Sequence, residues 1–325
     1  MRKALIIGID YYDNCDCLHG CVNDANEVIK VLERNGDGSV NFSTAKMLAS
    51  DSVSSVSKKD LKSNIIELFK YDVEIALLYF SGHGYIESNT GYLITSDVES
   101  GDNGFSMDEL LKIINDSPAK NKLVILDCCH SGVIGTSSLV KNSSILIEGS
   151  TFLTASESNQ YSMENGGHGV FTSLFVDALN GSAANLVGDI TPGSIYAHID
   201  QALGPWQQRP VFKTNVKNFI SLRKVTPPIE LSRLRRITEL FPDKDFVFQL
   251  DPSYEPERSG HEEKSVLLPI QENTKTFAIL QMYNRINIVV PVDAPHMWHA
   301  AMNSKSCKLT ALGKHYWQLV KNDMI

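Results

Sequence analysis

The chain has 325 residues, of which 42% are hydrophobic and 21% are charged, so it can bury a large core. Its formal net charge of −8 argues against a nucleic-acid coat protein and against a basic protein of the membrane surface. No apolar run approaches the ~20 residues of a membrane-spanning helix, and the first apolar stretch is too short for a signal peptide and ends at Asp10. We therefore expect a cytoplasmic protein without a membrane partner.

Short β-rich apolar runs alternate with helical patterns along the first two-thirds of the chain. The predicted strands cover residues 4–9, 75–80, 122–126 and 151–155, and the predicted helices cover residues 23–34, 59–69, 107–115 and 171–179. Runs of Ile, Leu, Val and Phe indicate strands that are buried on both faces. The alternation therefore predicts an α/β fold with a mainly parallel sheet and helices on both sides.

Six cysteines occupy positions 15, 17, 21, 128, 129 and 307. A disulfide framework is not expected in a long chain that lacks an export signal. The close spacing of Cys15, Cys17 and Cys21 is compatible with a metal site, but the second ligand pair of a zinc finger is absent. We therefore predict neither a disulfide nor a structural metal.

Two polar motifs directly follow predicted strands: Ser-Gly-His-Gly at residues 81–84 and Asp-Cys-Cys-His-Ser-Gly at residues 127–132. Sites in open α/β sheets form outside the carboxyl ends of the strands, so neighbouring strands would bring His83 to a cysteine. A thiol nucleophile needs a base or ion-pair partner, and it needs donors that hold the oxyanion. His83 is the predicted partner, and the amides of Gly84 and Cys129 are the predicted donors.

These motifs resemble the His and Cys motifs of metacaspases, the caspase relatives of bacteria, protists, fungi and plants. Segments 8–11, 18–25, 91–97 and 169–172 resemble the same family, so that the likeness covers roughly residues 1–222. It implies a caspase-like fold and cysteine peptidase activity. In the family pattern an aspartate and a small residue precede the nucleophile, and His-Ser-Gly follows it. That alignment makes Cys129, not Cys128, the nucleophile, with His83 as its catalytic partner.

The resemblance also implies cleavage after Arg or Lys, because metacaspases bind a basic residue through acids in the first specificity pocket. Those acids fall on Asp24 and Asp127 here, and two carboxylates can hold a guanidinium bidentately. Each acid also has a simpler interpretation. Asp24 could offset the dipole of the helix that begins beside it, and Asp127 could be an orienting hydrogen-bond acceptor.

Metacaspases often need calcium, which they bind through surface acids outside the active site. Glu99, Asp102 and Asp108 are candidates, but their spacing matches no recognised calcium loop, so we assign no ligand for calcium or another metal. Many members of the family also cut themselves between their two halves. Residues 133–149 contain one basic residue, Lys141, which is our candidate for self-cleavage.

A domain boundary is predicted near Thr226, with a peptidase domain at residues 1–225 and a small α-rich module at residues 226–325. Residues 309–314 resemble the end of a winged-helix domain. The module carries 12 Lys and Arg against 12 Asp and Glu, a net charge of 0, which argues against nucleic acid as its partner. It is either a plain structural extension or a regulatory module that responds to an activating ligand or partner.

The sequence therefore favours a cysteine endopeptidase with a Cys-His dyad, which acts on proteins or peptides with Arg or Lys before the cleaved bond. We expect a zymogen-like effector that is held inactive until a signal arrives. Its architecture resembles bacterial effectors of cell death and antiphage defence, which is an argument by analogy. Two alternatives stay open: a caspase-fold binding module without activity, and a related cysteine hydrolase with a non-protein substrate.

Overall fold

The chain divides into two units, Met1–Thr226 and Pro227–Ile325, in the computed structural model. The structure describes residues 1–87, 90–128, 146–155, 164–165, 168–204, 209–258 and 266–325. Within these ranges, no helix combines the length and apolar character needed to cross a membrane.

A six-stranded sheet forms the centre of the first unit. Its strands are β1 (Arg2–Ile9), β2 (Ser43–Ala49), β3 (Ile75–Ser81), β7 (Asn121–Asp127), β8 (Ser150–Thr154) and β12 (Val211–Asn215). They lie in the order β12-β8-β7-β3-β1-β2, and only β12 runs antiparallel to its neighbour. The mainly parallel sheet that the sequence predicts is therefore confirmed.

Five helices cover the two faces of this sheet. They are α1 (Cys21–Glu33), α2 (Lys58–Phe69), α3 (Met107–Asn115), α4 (Val170–Asp177) and α5 (Pro192–Leu203). Side chains of α2 and α3 pack on one face, and those of α1, α4 and α5 pack on the other. Successive strand residues point to opposite faces, so both core layers need apolar residues. This requirement explains why every residue of β3 is apolar or buried.

Shorter strands extend the first unit beyond the central sheet. Strands β4 (Gly84–Glu87), β5 (Thr90–Leu93) and β6 (Phe105–Ser106) form an antiparallel sheet directly after β3. Two ribbons pair β9 (Glu164–Asn165) with β10 (His168–Gly169) and β11 (Asp189–Ile190) with β13 (Arg223–Lys224).

The second unit combines five helices with a three-stranded antiparallel sheet in the described residues. The helices are α6 (Leu231–Arg235), α7 (Ile237–Leu240), α8 (Gln271–Arg285), α9 (Met297–Met302) and α10 (Ala311–Lys321); the strands are β14 (Val247–Gln249), β15 (Val289–Val292) and β16 (Ser306–Leu309). Strand β16 leads into α10, and the Thr310 hydroxyl caps that helix by accepting from the Gly313 amide. This is the strand-to-helix step expected at residues 309–314, while the winged-helix resemblance stays a prediction.

Candidate active site

The two sequence motifs follow strands that are direct neighbours in the sheet. Strands β3 and β7 pair in parallel, with Ser81 opposite Asp127, and the Gly82 amide donates to the Asp127 carbonyl at 3.3 Å. The expected adjacency of the two strands is thus confirmed. Cys128 is 1% exposed and belongs to the core. The predicted nucleophile Cys129, with its predicted oxyanion amide, and the self-cleavage candidate Lys141 lie outside the described residues.

The side chain of His83 packs against Tyr12, a buried residue that follows β1. The two rings lie 4.7 Å apart between centroids, and the His83 amide donates to the Tyr12 hydroxyl at 2.8 Å. That hydroxyl in turn donates to the Ile9 carbonyl at 3.1 Å. A Cβ atom at Gly82 would lie 2.7 Å from the Tyr12 hydroxyl oxygen, so the close approach requires glycine. Burial raises the pKa of Tyr12 well above its usual range, which keeps the hydroxyl protonated as a donor.

A backbone carbonyl orients the imidazole of His83. Its Nε2 lies 2.8 Å from the carbonyl oxygen of Asp16. A carbonyl only accepts hydrogen bonds, so Nε2 carries a proton, and in the neutral ring Nδ1 is the basic nitrogen. Asp16 lies in the loop that follows β1. This loop is held in place by a hydrogen bond from the Asp13 amide to the Ser96 carbonyl at 2.9 Å. The contact between His83 and the Asp16 carbonyl could not be predicted from the sequence, because every residue type has the same backbone carbonyl.

Asp24 and Asp127 converge on the backbone of Gly169. Asp24 is 2% exposed and accepts from the Gly169 amide at 2.9 Å through Oδ2. Asp127 is 5% exposed and accepts from the Thr172 hydroxyl at 2.7 Å, also through Oδ2. A Cβ atom at Gly169 would lie 2.6 Å from the Asp127 oxygen and 3.0 Å from the Asp24 oxygen. The structure therefore brings the two predicted pocket acids together, and it adds Gly169 and Thr172 as their neighbours.

The start of α1 fixes the position of Asp24. The Asp10 carboxylate accepts from the amides of Cys21 at 2.8 Å and Val22 at 3.3 Å, which caps the helix from the end of β1. Asp24 lies in the first turn of this helix, as its simpler interpretation requires. Its carboxylate also accepts a hydrogen bond from the Gly169 amide, so Asp24 does more than stabilise the end of the helix.

The carboxylates of this acid pair act on the described groups beside it. Burial raises the pKa of Cys21 far above the ordinary thiol range, and the carboxylates of Asp10, Asp127 and Asp24 raise it further, against a hydrogen bond with Ser81. Burial likewise raises the pKa of Tyr79, with Asp127 and Asp24 adding to the effect. Cys21 is therefore a neutral thiol at neutral pH, and an added cation would be stabilised at this position.

Gly84, the predicted oxyanion donor, follows His83 at the first position of β4 and lines a separate cleft. We call this cleft of about 320 Å³ the Tyr85 cleft. Its described lining comprises Asn14, Cys15, Asp16, His83, Gly84, Tyr85, Ile94, Val98, Glu99, Ser100 and Gly101.

The acids considered for calcium do not assemble into one cluster. Glu99 lines the Tyr85 cleft, Asp102 accepts from the Ser100 hydroxyl at 2.6 Å, and Asp108 lies in the first turn of α3. Across the described ranges, no group of three His, Cys, Asp or Glu side chains is arranged to hold a metal ion. Cys15 and Cys17 are exposed thiols.

Comparison with known proteins assigns the family. The model of the caspase domain, a peptidase family, matches residues 1–221, and the chain belongs to this family. It is 29% identical over 147 residues to metacaspase-6 of Arabidopsis thaliana, covering 40% of this chain and 38% of the relative. It is 26% identical over 148 residues to metacaspase-2 of Trypanosoma brucei brucei, covering 41% and 42%.

These matches cover about two-fifths of the length of the curated relatives. Among solved structures, protein GSU0716 from Geobacter sulfurreducens superposes with a TM-score of 0.51 at 17% identity, over 70% of this chain and 98% of that chain. That likeness supports the fold alone. The members of the caspase family are cysteine peptidases.

Proposed function

We propose that this chain is a cysteine endopeptidase that cleaves peptide bonds after Arg or Lys, with Cys129 as nucleophile and His83 as its partner. The observation that carries this proposal is the buried acid pair, Asp24 and Asp127, beside the strand end that bears His83. Two carboxylates at one buried position suit a guanidinium or an ammonium group, and they repel an aspartate side chain.

The proposed reaction follows from the roles of these groups. The Cys129 thiolate attacks the carbonyl carbon of the scissile bond, while the amides of Gly84 and Cys129 hold the oxyanion. His83 then protonates the leaving amine as the carbon–nitrogen bond breaks, which leaves a thioester on Cys129. Water attacks the thioester and gives a proton to His83, and the carboxylic acid product leaves with the thiolate restored.

Binding of the basic side chain involves Gly169 directly. Its backbone lies against both carboxylates, and its amide occupies one lone pair of Asp24. An incoming guanidinium donates to the same oxygens, so it replaces this amide or binds beside it. We expect the segment that carries Gly169 to shift when substrate binds.

Regulation forms a second part of the proposal. We expect the unit Pro227–Ile325 to hold the peptidase inactive, or to recruit it, until a ligand or partner binds. A role in cell death or antiphage defence agrees with this arrangement. Calcium dependence and self-cleavage after Lys141 remain predictions; mass spectrometry that finds only the intact chain after activation would count against self-cleavage.

Fluorogenic peptides with Arg, Lys or Asp before the cleaved bond test the proposed function, with and without calcium. We expect cleavage after Arg and Lys that disappears in Cys129→Ala. Cleavage after Asp alone would retain the peptidase and reject the assignment of the acid pair. If no substrate is cleaved even with candidate activators present, the chain is better described as a caspase-fold binding module.

A further inference from the structure

The Tyr85 cleft and the acid pair lie on opposite faces of the central sheet. Tyr79, which hydrogen-bonds to Thr172 beside Asp127, belongs to the core under α1, α4 and α5. Ile94, which lines the Tyr85 cleft, belongs to the other core, together with Tyr12. The His83 ring packs against Tyr12 and lines the cleft, so His83 lies at the carboxyl edge of the sheet between the two sites.

This arrangement constrains the path of a bound peptide. The residue before the cleaved bond places its side chain at the acid pair, and His83 delivers its proton to the leaving amine. The leaving peptide therefore begins at the imidazole, on the side away from the acid pair. The Tyr85 cleft adjoins that position, because His83 and Gly84 are among its lining residues.

We propose that the Tyr85 cleft binds the residues just after the cleaved bond and selects a side chain with an apolar stem and a cationic head, namely Lys or Arg. This inference rests on the proposed function, and it extends the preference for basic substrates to the leaving side. The substrates would then carry basic residues on both sides of the cleaved bond.

The lining of the Tyr85 cleft has the chemistry that such a side chain requires. Tyr85, Ile94 and Val98 supply apolar surface for a methylene stem. Glu99 and Asp16 are exposed carboxylates, and no Lys or Arg is among the described lining residues. The local field therefore favours a cation and disfavours an acid.

The Tyr85 cleft is also held in shape before substrate arrives. The Asn14 side-chain amide donates to the Val98 carbonyl at 3.2 Å, which ties its two walls together. At its base the Tyr85 ring packs directly on Gly101, where a Cβ atom would overlap with the ring. A site that is already formed loses less conformational entropy when it binds a peptide.

Internally quenched peptides provide the test, because they extend beyond the cleaved bond. The series has Arg before the bond and Lys, Ala or Glu at the two positions after it. Because the chain is proposed to cleave after Lys as well, mass spectrometry of the products is used to obtain kcat/KM for the bond after Arg alone. We expect this kcat/KM to fall in the order Lys, Ala, Glu, by about 2- to 5-fold for each step, as expected for solvated ion pairs. Glu99→Lys leaves Asp16 as the one carboxylate among the described lining residues and adds a cation beside it, so the preference for the Lys peptide should be lost.

Asp72→Lys is the matched control, since it makes the same change of charge at an exposed position before β3, at the opposite edge of the sheet. It should preserve the wild-type order. Equal kcat/KM of the wild-type protein for the three peptides, with cleavage still dependent on Cys129, would overturn this inference and leave the proposed function intact. If no peptide in either assay is cleaved, both the proposed function and this inference are rejected.

Discussion

Asp24 and Asp127 come from a helix and a strand that lie far apart in the sequence, yet their carboxylates meet at one glycine. Among the described residues, their hydrogen-bond partners there include a backbone amide and a hydroxyl group. Asparagine has nearly the same shape as aspartate, so replacing either acid by asparagine removes the charge with little change in packing. The pair can therefore be tested one charge at a time.

We predict that Asp24→Asn or Asp127→Asn lowers kcat/KM for Arg and Lys substrates by at least about 30-fold. Truncating one partner of a buried charge pair typically costs ~2–5 kcal/mol, which corresponds to this loss. Steady-state kinetics measure the effect, and Asp116→Asn, at an exposed position after α3, is the control. Unchanged kinetics in both pocket variants would mean that these carboxylates do not contact the substrate.

Tyr12 supports His83 through a hydroxyl group that could not be recognised from the motif. We predict that Tyr12→Phe lowers kcat by roughly 10-fold and the free energy of unfolding by about 1–3 kcal/mol, because the His83 amide loses its acceptor. Kinetics and urea denaturation measure the two effects. Tyr196→Phe removes a hydroxyl from a ring that stacks on Phe212, and it should leave kcat unchanged. A wild-type kcat in Tyr12→Phe would contradict the positioning role.

Cys21 predicts how stability changes at alkaline pH. Its thiol has an ordinary pKa of 9.0 in the unfolded chain, and burial raises that pKa in the folded protein. Above pH 9 the unfolded chain releases a proton that the folded chain retains, so this contribution to stability is complete below pH 9 and declines as the pH rises. The free energy of unfolding should fall by up to about 1.4 kcal/mol per pH unit from this group.

Urea denaturation between pH 8 and pH 11 measures this slope. Cys21→Ala should show a shallower decline than the wild type, whatever its absolute stability. Cys17→Ala, at an exposed thiol, should keep the wild-type slope. Identical slopes in all three proteins would contradict the role assigned to burial of Cys21.

The burial of a strand determines whether that strand could be predicted from the sequence. The four buried strands were recognised because each is an apolar run covered on both faces, and each prediction falls within two residues of the observed ends. Strands β2 and β12 were missed because they form the two edges of the sheet, where most of their residues are exposed or only partly buried. Edge strands carry too little apolar pattern to be distinguished from loops.

The same reasoning separates the parts of the candidate site. His83 could be located because it is a distinctive residue type in a motif that directly follows a predicted strand. Asp24 and Asp127 were assigned from the metacaspase resemblance, and their role as pocket acids stays a prediction. The groups that hydrogen-bond to His83 and Asp24 could not be located from the sequence, because the Asp16 carbonyl and the Gly169 amide belong to the backbone. In the second unit, α6 and α7 are two short helices that meet at Arg236.

The start of α4 offers a test at the scale of an element. Gly169 has a φ of −66°, which alanine also adopts, so Gly169→Ala should still form this helix. The added Cβ nevertheless collides with both carboxylates, and we predict a loss in kcat/KM of about 10-fold or more for Arg substrates. Gly193→Ala in α5 meets only the Thr191 hydroxyl at 3.9 Å and should leave activity unchanged. Full activity in Gly169→Ala would show that this position lies away from the substrate.

Removing the second unit tests its role in the complete chain. A truncation has to preserve the end of the first unit, where the Val225 amide donates to the Gly188 carbonyl at 2.8 Å and the Gly36 amide donates to the Lys224 carbonyl at 2.7 Å. A cut after Arg223 would remove both contacts. The informative cut therefore follows Thr226, at the boundary between the two units.

If the second unit restrains the peptidase as proposed, we predict that residues 1–226 cleave Arg and Lys substrates without a trigger, because that unit is removed. Kinetics of the two proteins make the comparison, and circular dichroism checks that the shorter protein is folded. The same activity and the same dependence on a trigger in both proteins would remove the regulatory role. A folded but inactive shorter protein would instead make the second unit an activator.

The hydrogen bond from His83 to the Asp16 carbonyl determines which changes in the loop after β1 preserve the position of the imidazole. Every amino acid supplies the same carbonyl, so substitution at position 16 preserves the acceptor. Inserting or deleting one residue between positions 13 and 16 moves that carbonyl by up to about 3.5 Å, which is enough to lose the hydrogen bond. Related chains that share this arrangement should therefore vary freely in the composition of this loop while keeping its length.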